Sequence, residues 1–147
     1  MSRDALAATA RRRLHPAAAP LLLAAAGAAG AVLLHFVDPN EGGNYPVCPW
    51  LMITGTWCPG CGTMRAIHAM TELDVAGAFG MNPMLMLMAP FLAYGYVRWL
   101  YRSFRPAPPR TTPKKALHPA WLYLFLVAFI AYWVVRNLPF GQFLAPG

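Results

Sequence analysis

Apolar positions along the chain gather into three long runs, and the polar residues between them are bunched rather than interspersed. The first run, Pro16 to Val37, holds no Asp, Glu, Lys or Arg. At about 1.5 Å per residue it forms a helix long enough for the ~30 Å hydrocarbon core of a bilayer. The second is centred on NPMLMLMAPFLAYGYV and extends from about Met81 to Tyr101; the third, PAWLYLFLVAFIAYWVV, covers Pro119 to Val135. Trp99, Tyr101, Trp121, Tyr123, Tyr132 and Trp133 lie near the ends of the last two, where amphipathic rings favour the membrane–water boundary. The pattern predicts an all-α membrane protein with three transmembrane helices, at 16–37, 81–101 and 119–138.

The segment 38–80 between the first two spans changes pattern twice. DPNEGGNYPVCPW has the Pro, Gly and Asn density of an irregular loop, and LMITGTW follows as a short apolar piece flanked by Trp50 and Trp57. After CPGCG the spacing turns helical: Cys61, Arg65, His68 and Glu72 fall on one face, while Met64, Ile67 and Met70 fall away from it. That predicts a short amphipathic interfacial helix. ELDVAGAFGMNP reads as a second short helical piece, and Asn82 with Pro83 as the N-cap and first-turn proline of the next span.

Composition agrees. The chain is 58% hydrophobic and 12% charged, against about 25% charged in soluble domains. A net charge of +7 would suggest nucleic acid on a polar surface, but here the cations flank apolar runs and suit anionic lipid instead. Nucleic acid is therefore excluded as a partner, and the bilayer is the expected one.

Of the twelve Lys and Arg residues, only Arg65 and Arg136 lie outside two blocks: Arg3, Arg11, Arg12 and Arg13, then Arg98, Arg102, Arg105, Arg110, Lys114 and Lys115. Cations are retained on the cytoplasmic side. This places the 1–15 terminus and the Pro-rich 102–118 loop on the cytoplasmic side of the cell (inner) membrane, and the 38–80 segment and the 139–147 terminus on its outer side. The first run has the basic start of a signal peptide, but its apolar core exceeds the ~7–15 residues usual there. A retained span is expected.

The string CPW…TGTWCPGCGTMRAIHAM…D…AF…NP, from about Cys48 to Trp99, resembles an uncharacterised family of short bacterial membrane proteins with a Cys-Pro-Gly-Cys-Gly core, then Arg-Ala and Asn-Pro. The resemblance implies a membrane location and a shared fold. It implies no activity.

Three chemistries compete for the cysteines. Cys58-Pro59-Gly60-Cys61-Gly62 has the form of a metal knuckle, and Cys48 and His68 complete a Cys3His set of the kind zinc accepts. The same Cys-x-x-Cys before a helix suits a redox pair, with Arg65 beside it and Cys48 as a third thiol. The third is a disulfide that staples a small cap onto the helices, which an oxidising exterior favours. His35, near the outer end of the first span, is a further neighbour to consider, while the methionines of MNPMLMLM read as packing. No Ser-His-Asp set, phosphate loop or nucleotide fingerprint is present, and no catalytic residue is assigned. The expectation is a non-enzymatic accessory protein with a cysteine-stapled outer cap, serving another membrane protein or self-association. A thiol–disulfide oxidoreductase and a zinc-binding module are the alternatives.

Overall fold

The computed structural model describes residues 15–105 and 118–146, and among them there is no strand. Six α-helices follow one another in the described residues: α1 (Ala18–Phe36), α2 (Pro49–Thr54), α3 (Thr63–Thr71), α4 (Val75–Met81), α5 (Pro83–Ser103) and α6 (Pro119–Val135), with a closing 3-10 turn at Pro139–Leu144. Expectations for residues 1–14 and for most of the basic loop, 106–117, lie outside the described residues.

The structure supports one spanning helix, or two, by length and composition, and three are not confirmed. Among the described residues, α1 alone is both long and apolar enough to cross a membrane. α5 qualifies only together with α4, and the two are bent by 116° at Asn82. Proline at its first turn and the Asn82 side chain, which accepts from the Leu85 N–H, start α5 afresh at that bend. The second helix therefore begins at Pro83 rather than Met81. α6 is apolar on all sides but has 17 residues, about 26 Å, short of a ~30 Å core. It stops at Val135 instead of running to 138, and Arg136 caps it.

The long helices alternate in direction. Tyr96, late in α5, donates to the Pro20 carbonyl early in α1 at 2.8 Å, and His15 lies against Phe104 at the same end. At the opposite end residues 38–81 fold as a cap over the place where α1 stops, α5 starts and α6 stops. The core sits there. Cys61, Ala66, Ala78, Asn82 and Arg136 are buried, while Leu21, Leu22, Phe91, Trp121, Leu122 and Phe125 on the long helices are exposed.

Inside the cap, α3 and α4 fall on the two expected short helical pieces, with α3 starting later than expected, and the apolar piece after Cys48 is itself helical, as α2. Cys48 caps α2 with Pro49 behind it, and Gly55 at φ 68° ends it. Gly62 caps α3 at φ 86°, a left-handed conformation that glycine adopts without cost. A Cβ on Gly62 would also meet the Met81 carbonyl and Pro146. Because the chain turns at Gly62, Cys61 lies before the helix, and Glu72 lies after it as the C-cap. The expected four-residue stripe is thus broken at both ends.

Candidate metal centre

Two turns bring the cysteines together. The Cys61 N–H returns to the Cys58 carbonyl at 3.1 Å and the Thr63 N–H to the Gly60 carbonyl at 3.1 Å. This folds Cys58-Pro59-Gly60-Cys61 into a tight loop. The start of α2 then delivers Cys48 beside it. Sγ of Cys58 lies 3.1 Å from that of Cys61 and 3.6 Å from that of Cys48, and all three sulfurs lie within 4.8 Å of one another. All three are free thiols. Around a tetrahedral ion with ~2.3 Å metal–sulfur bonds, sulfurs stand about 3.8 Å apart, so movements of under about 1 Å suit the three to one ion.

The thiols differ in setting. Cys61 is 7% exposed, and burial pushes its thiol up to about 12, with the neighbouring Cys58 thiol adding to the rise. Cys48 is held below its ordinary value, first by the Leu51 backbone amide in the opening turn of α2. Orphan amides at a helix start favour a thiolate. The sulfurs open onto a cleft of about 370 Å³ whose walls include Trp57, Met64 and Arg65.

His68 is not among the sulfurs. Its Nδ1 is 2.7 Å from the Leu34 carbonyl at the end of α1 and its Nε2 is 3.6 Å from Asp38. Among the described residues, the cluster that can hold an ion is Cys48, Cys58 and Cys61. The Cys3His set is not assembled. His35 likewise turns to Glu72 at 2.8 Å. Pro59 and Gly60 make the turn, Gly62 ends it, and Arg65 stands in the cleft wall.

The loop is fastened from below by residues whose role sequence reasoning missed. Arg136 is wholly buried; its Nη1 donates to the carbonyls of Cys58 (3.0 Å) and Pro59 (3.3 Å), and its Nη2 to that of Cys61 (3.3 Å). Asn82, 2% exposed, donates through Nδ2 to the carbonyls of Pro59 (3.2 Å) and Cys61 (3.4 Å) and to Thr63 Oγ1 (3.2 Å). The Asn137 amide pairs both ways with the Trp57 backbone, accepting from its N–H at 2.7 Å and donating to its carbonyl at 2.9 Å. The Trp133 indole donates to the same carbonyl at 3.0 Å, and its ring meets Trp50 edge-on. The end of α6 therefore holds the loop by its backbone and leaves the sulfurs to face the cleft.

In sequence Asn82 signals only a helix cap, a role it also fills, and Arg136 signals only a charge. The one hint at Arg136 is an oddity of position: it is one of two cations on the side where the charge pattern leaves few, set directly after an apolar run.

Residues 48–96 match the family described as Protein of unknown function (DUF2752). That stretch carries the three cysteines and Asn82; Arg136 and Asn137 lie beyond it. Among curated proteins and solved structures nothing matches the chain.

Proposed function

We propose that this chain is a membrane-anchored accessory protein whose outer cap holds a metal ion on Cys48, Cys58 and Cys61. One observation carries the reading: three sulfurs converge to within 4.8 Å from two separate turns, on a loop whose carbonyls are gripped by buried side chains. Thiolates select soft or borderline ions such as zinc or copper(I). Bound metal also protects thiols in a space that would otherwise oxidise them. Membrane attachment is supported by α1 and by the large apolar side chains that α1, α5 and α6 turn outward, a distribution suited to lipid rather than water. The cap faces outward because the blocks of Lys and Arg flank the other ends of the helices. Its role is to present a rigid surface to another membrane protein, with no catalysis of its own.

The 3.1 Å approach of Cys58 and Cys61 favours a second reading, an oxidised bridge with Cys48 as a spare thiol. One preparation separates the two: the chain purified from membranes without chelators, assayed for metal and free thiols. One equivalent of metal, with all three thiols resisting alkylation until a chelator is added, is expected. A metal-free chain with a single bridge and one free thiol would replace the first reading with the second. Reporter fusions test the orientation, which requires Gly43 outside and Pro109 in the cytoplasm.

A further inference from the structure

A fully buried guanidinium is stabilised by a negative charge, and among the described residues no carboxylate pairs with Arg136. Each described carboxylate is engaged elsewhere: Asp38 with Asn40 and His68, Glu41 with Asn44, Glu72 with His35, and Asp74 with the Gly77 N–H. The partners of Arg136 are three carbonyls and the face of the Tyr132 ring, and its Nε is buried with no acceptor. Tyr132 keeps its proton, since it donates to Asn82 Oδ1. A buried charge with only dipoles around it is costly. Among the described residues, the groups of this site that can become anionic are the sulfurs of Cys58 and Cys61, whose own carbonyls Arg136 holds, and of Cys48 beside them.

We propose that Arg136 is the built-in counter-charge of the cysteine centre, and that the centre takes a divalent ion such as zinc on all three sulfurs as a net monoanion. This rests on the metal reading above. Binding a divalent cation releases one proton from each of the three thiols to solvent and forms three metal–sulfur bonds. Three thiolates and one divalent ion sum to one negative charge, and Arg136 cancels it. A tetrahedral ion held by three sulfurs would keep a fourth position for water or a ligand, and the cleft that the three cysteines line would give access to it. A monovalent ion meets the same balance with two thiolates, leaving the third sulfur protonated. Arg136 is thus a positioning residue for the loop and an electrostatic partner of the metal, acting from behind the ligands as outer-shell groups do.

The test uses the reduced full-length chain in phospholipid nanodiscs, with Zn²⁺ titrated against a chromophoric chelator. The wild type is expected to bind one Zn²⁺ per chain, and Arg136→Gln to bind about 10–100-fold more weakly. Arg136→Lys keeps the charge and should recover most of that loss. Asn82→Ala, which cuts neutral bonds to the same loop, should weaken binding far less than Arg136→Gln. Equal affinities in wild type and Arg136→Gln, or equal losses in Arg136→Gln, Arg136→Lys and Asn82→Ala, would leave Arg136 a loop anchor only. If Arg136→Gln does not hold its helices by circular dichroism, the wild type alone decides: Cd²⁺ should shield three thiols from alkylation and Ag⁺ two. Shielding of all three by both ions overturns the counter-charge. A wild type that binds neither Zn²⁺ nor Cd²⁺ removes the metal reading itself, whereas binding without Arg136 dependence removes only the counter-charge.

Discussion

The cap is fastened to the long helices at two places: one rests on buried donors to carbonyls, while the other, beside a His68–Leu34 carbonyl contact, uses more exposed histidine–carboxylate pairs. Under the CPGC loop, Arg136 and Asn82 are 0% and 2% exposed and donate to backbone carbonyls. At the end of α1, His35 meets Glu72 at 2.8 Å and His68 meets Asp38 at 3.6 Å, with side-chain exposures of 40% and 50% in the first pair and 16% and 35% in the second. Buried donors on carbonyls fix geometry, because neither side can turn to water without loss. Exposed ion pairs contribute about 0–1 kcal/mol and are screened by salt. The first fastening therefore sets the positions of the sulfurs; the second adds modest adhesion that solvent can modulate.

If that contrast is right, Arg136→Leu should be the most damaging single change. It strips partners from the carbonyls of Cys58, Pro59 and Cys61. Hydrogen bonds to charged donors contribute roughly 1.5–3 kcal/mol each, and relief of the buried charge offsets part of the loss. A net destabilisation of about 3 kcal/mol follows, read as a fall in the thermal midpoint in detergent. A fall no larger than that of Glu72→Gln would erase the distinction between the two fastenings.

Asn82→Ala comes next. It removes the cap of α5, worth about 1 kcal/mol, two donations into the cysteine loop and one to the Thr63 hydroxyl at the start of α3. About 2–3 kcal/mol is expected, together with faster alkylation of Cys61 as its loop loosens. Asn82→Asp separates the two roles, since a carboxylate still caps α5 but cannot donate to the carbonyls of Pro59 and Cys61. If Asn82→Asp kept both wild-type stability and slow alkylation, the cap rather than the loop would be the reason for the residue.

The two fastenings also differ in how far sequence exposes them. Helix positions are legible: α1 and α6 fall inside their apolar runs, and Asn82-Pro83 announces the start of α5. The turn at CPGCG and the helix after it are legible too. The face of that helix is not. Helical spacing puts Cys61 in line with His68, but the left-handed turn at Gly62 takes Cys61 off the helix and leaves His68 facing Leu34. Arg136 escapes for a different reason. Its contacts reach Cys58 and Cys61 across more than half the chain, and an arginine after an apolar run has the same local pattern whether it anchors to phosphate or turns inward.

The smallest effect should come from the exposed fastening, and its pH dependence can be signed. Asp38 is held below the ordinary carboxylate value of 3.8, first by the Asn40 backbone N–H and also by the positive groups of His68 and Arg65. A carboxylate whose folded value is lowered contributes its stabilisation above the unfolded value and loses it as pH falls through the folded one. Asp38→Asn should therefore lower the thermal midpoint slightly at about pH 6, and the difference should shrink as pH falls through the folded value, where the wild-type carboxylate becomes protonated as well. Glu72→Gln should cost under about 1 kcal/mol, and raising salt to about 1 M should shrink even that. Thiol accessibility should stay at the wild-type level in both variants, because neither side chain touches the loop at 57–61. Exposure of Cys58 or Cys61 in Asp38→Asn would mean that the α1 junction also sets the sulfurs, and that the cap moves on its two fastenings as one body.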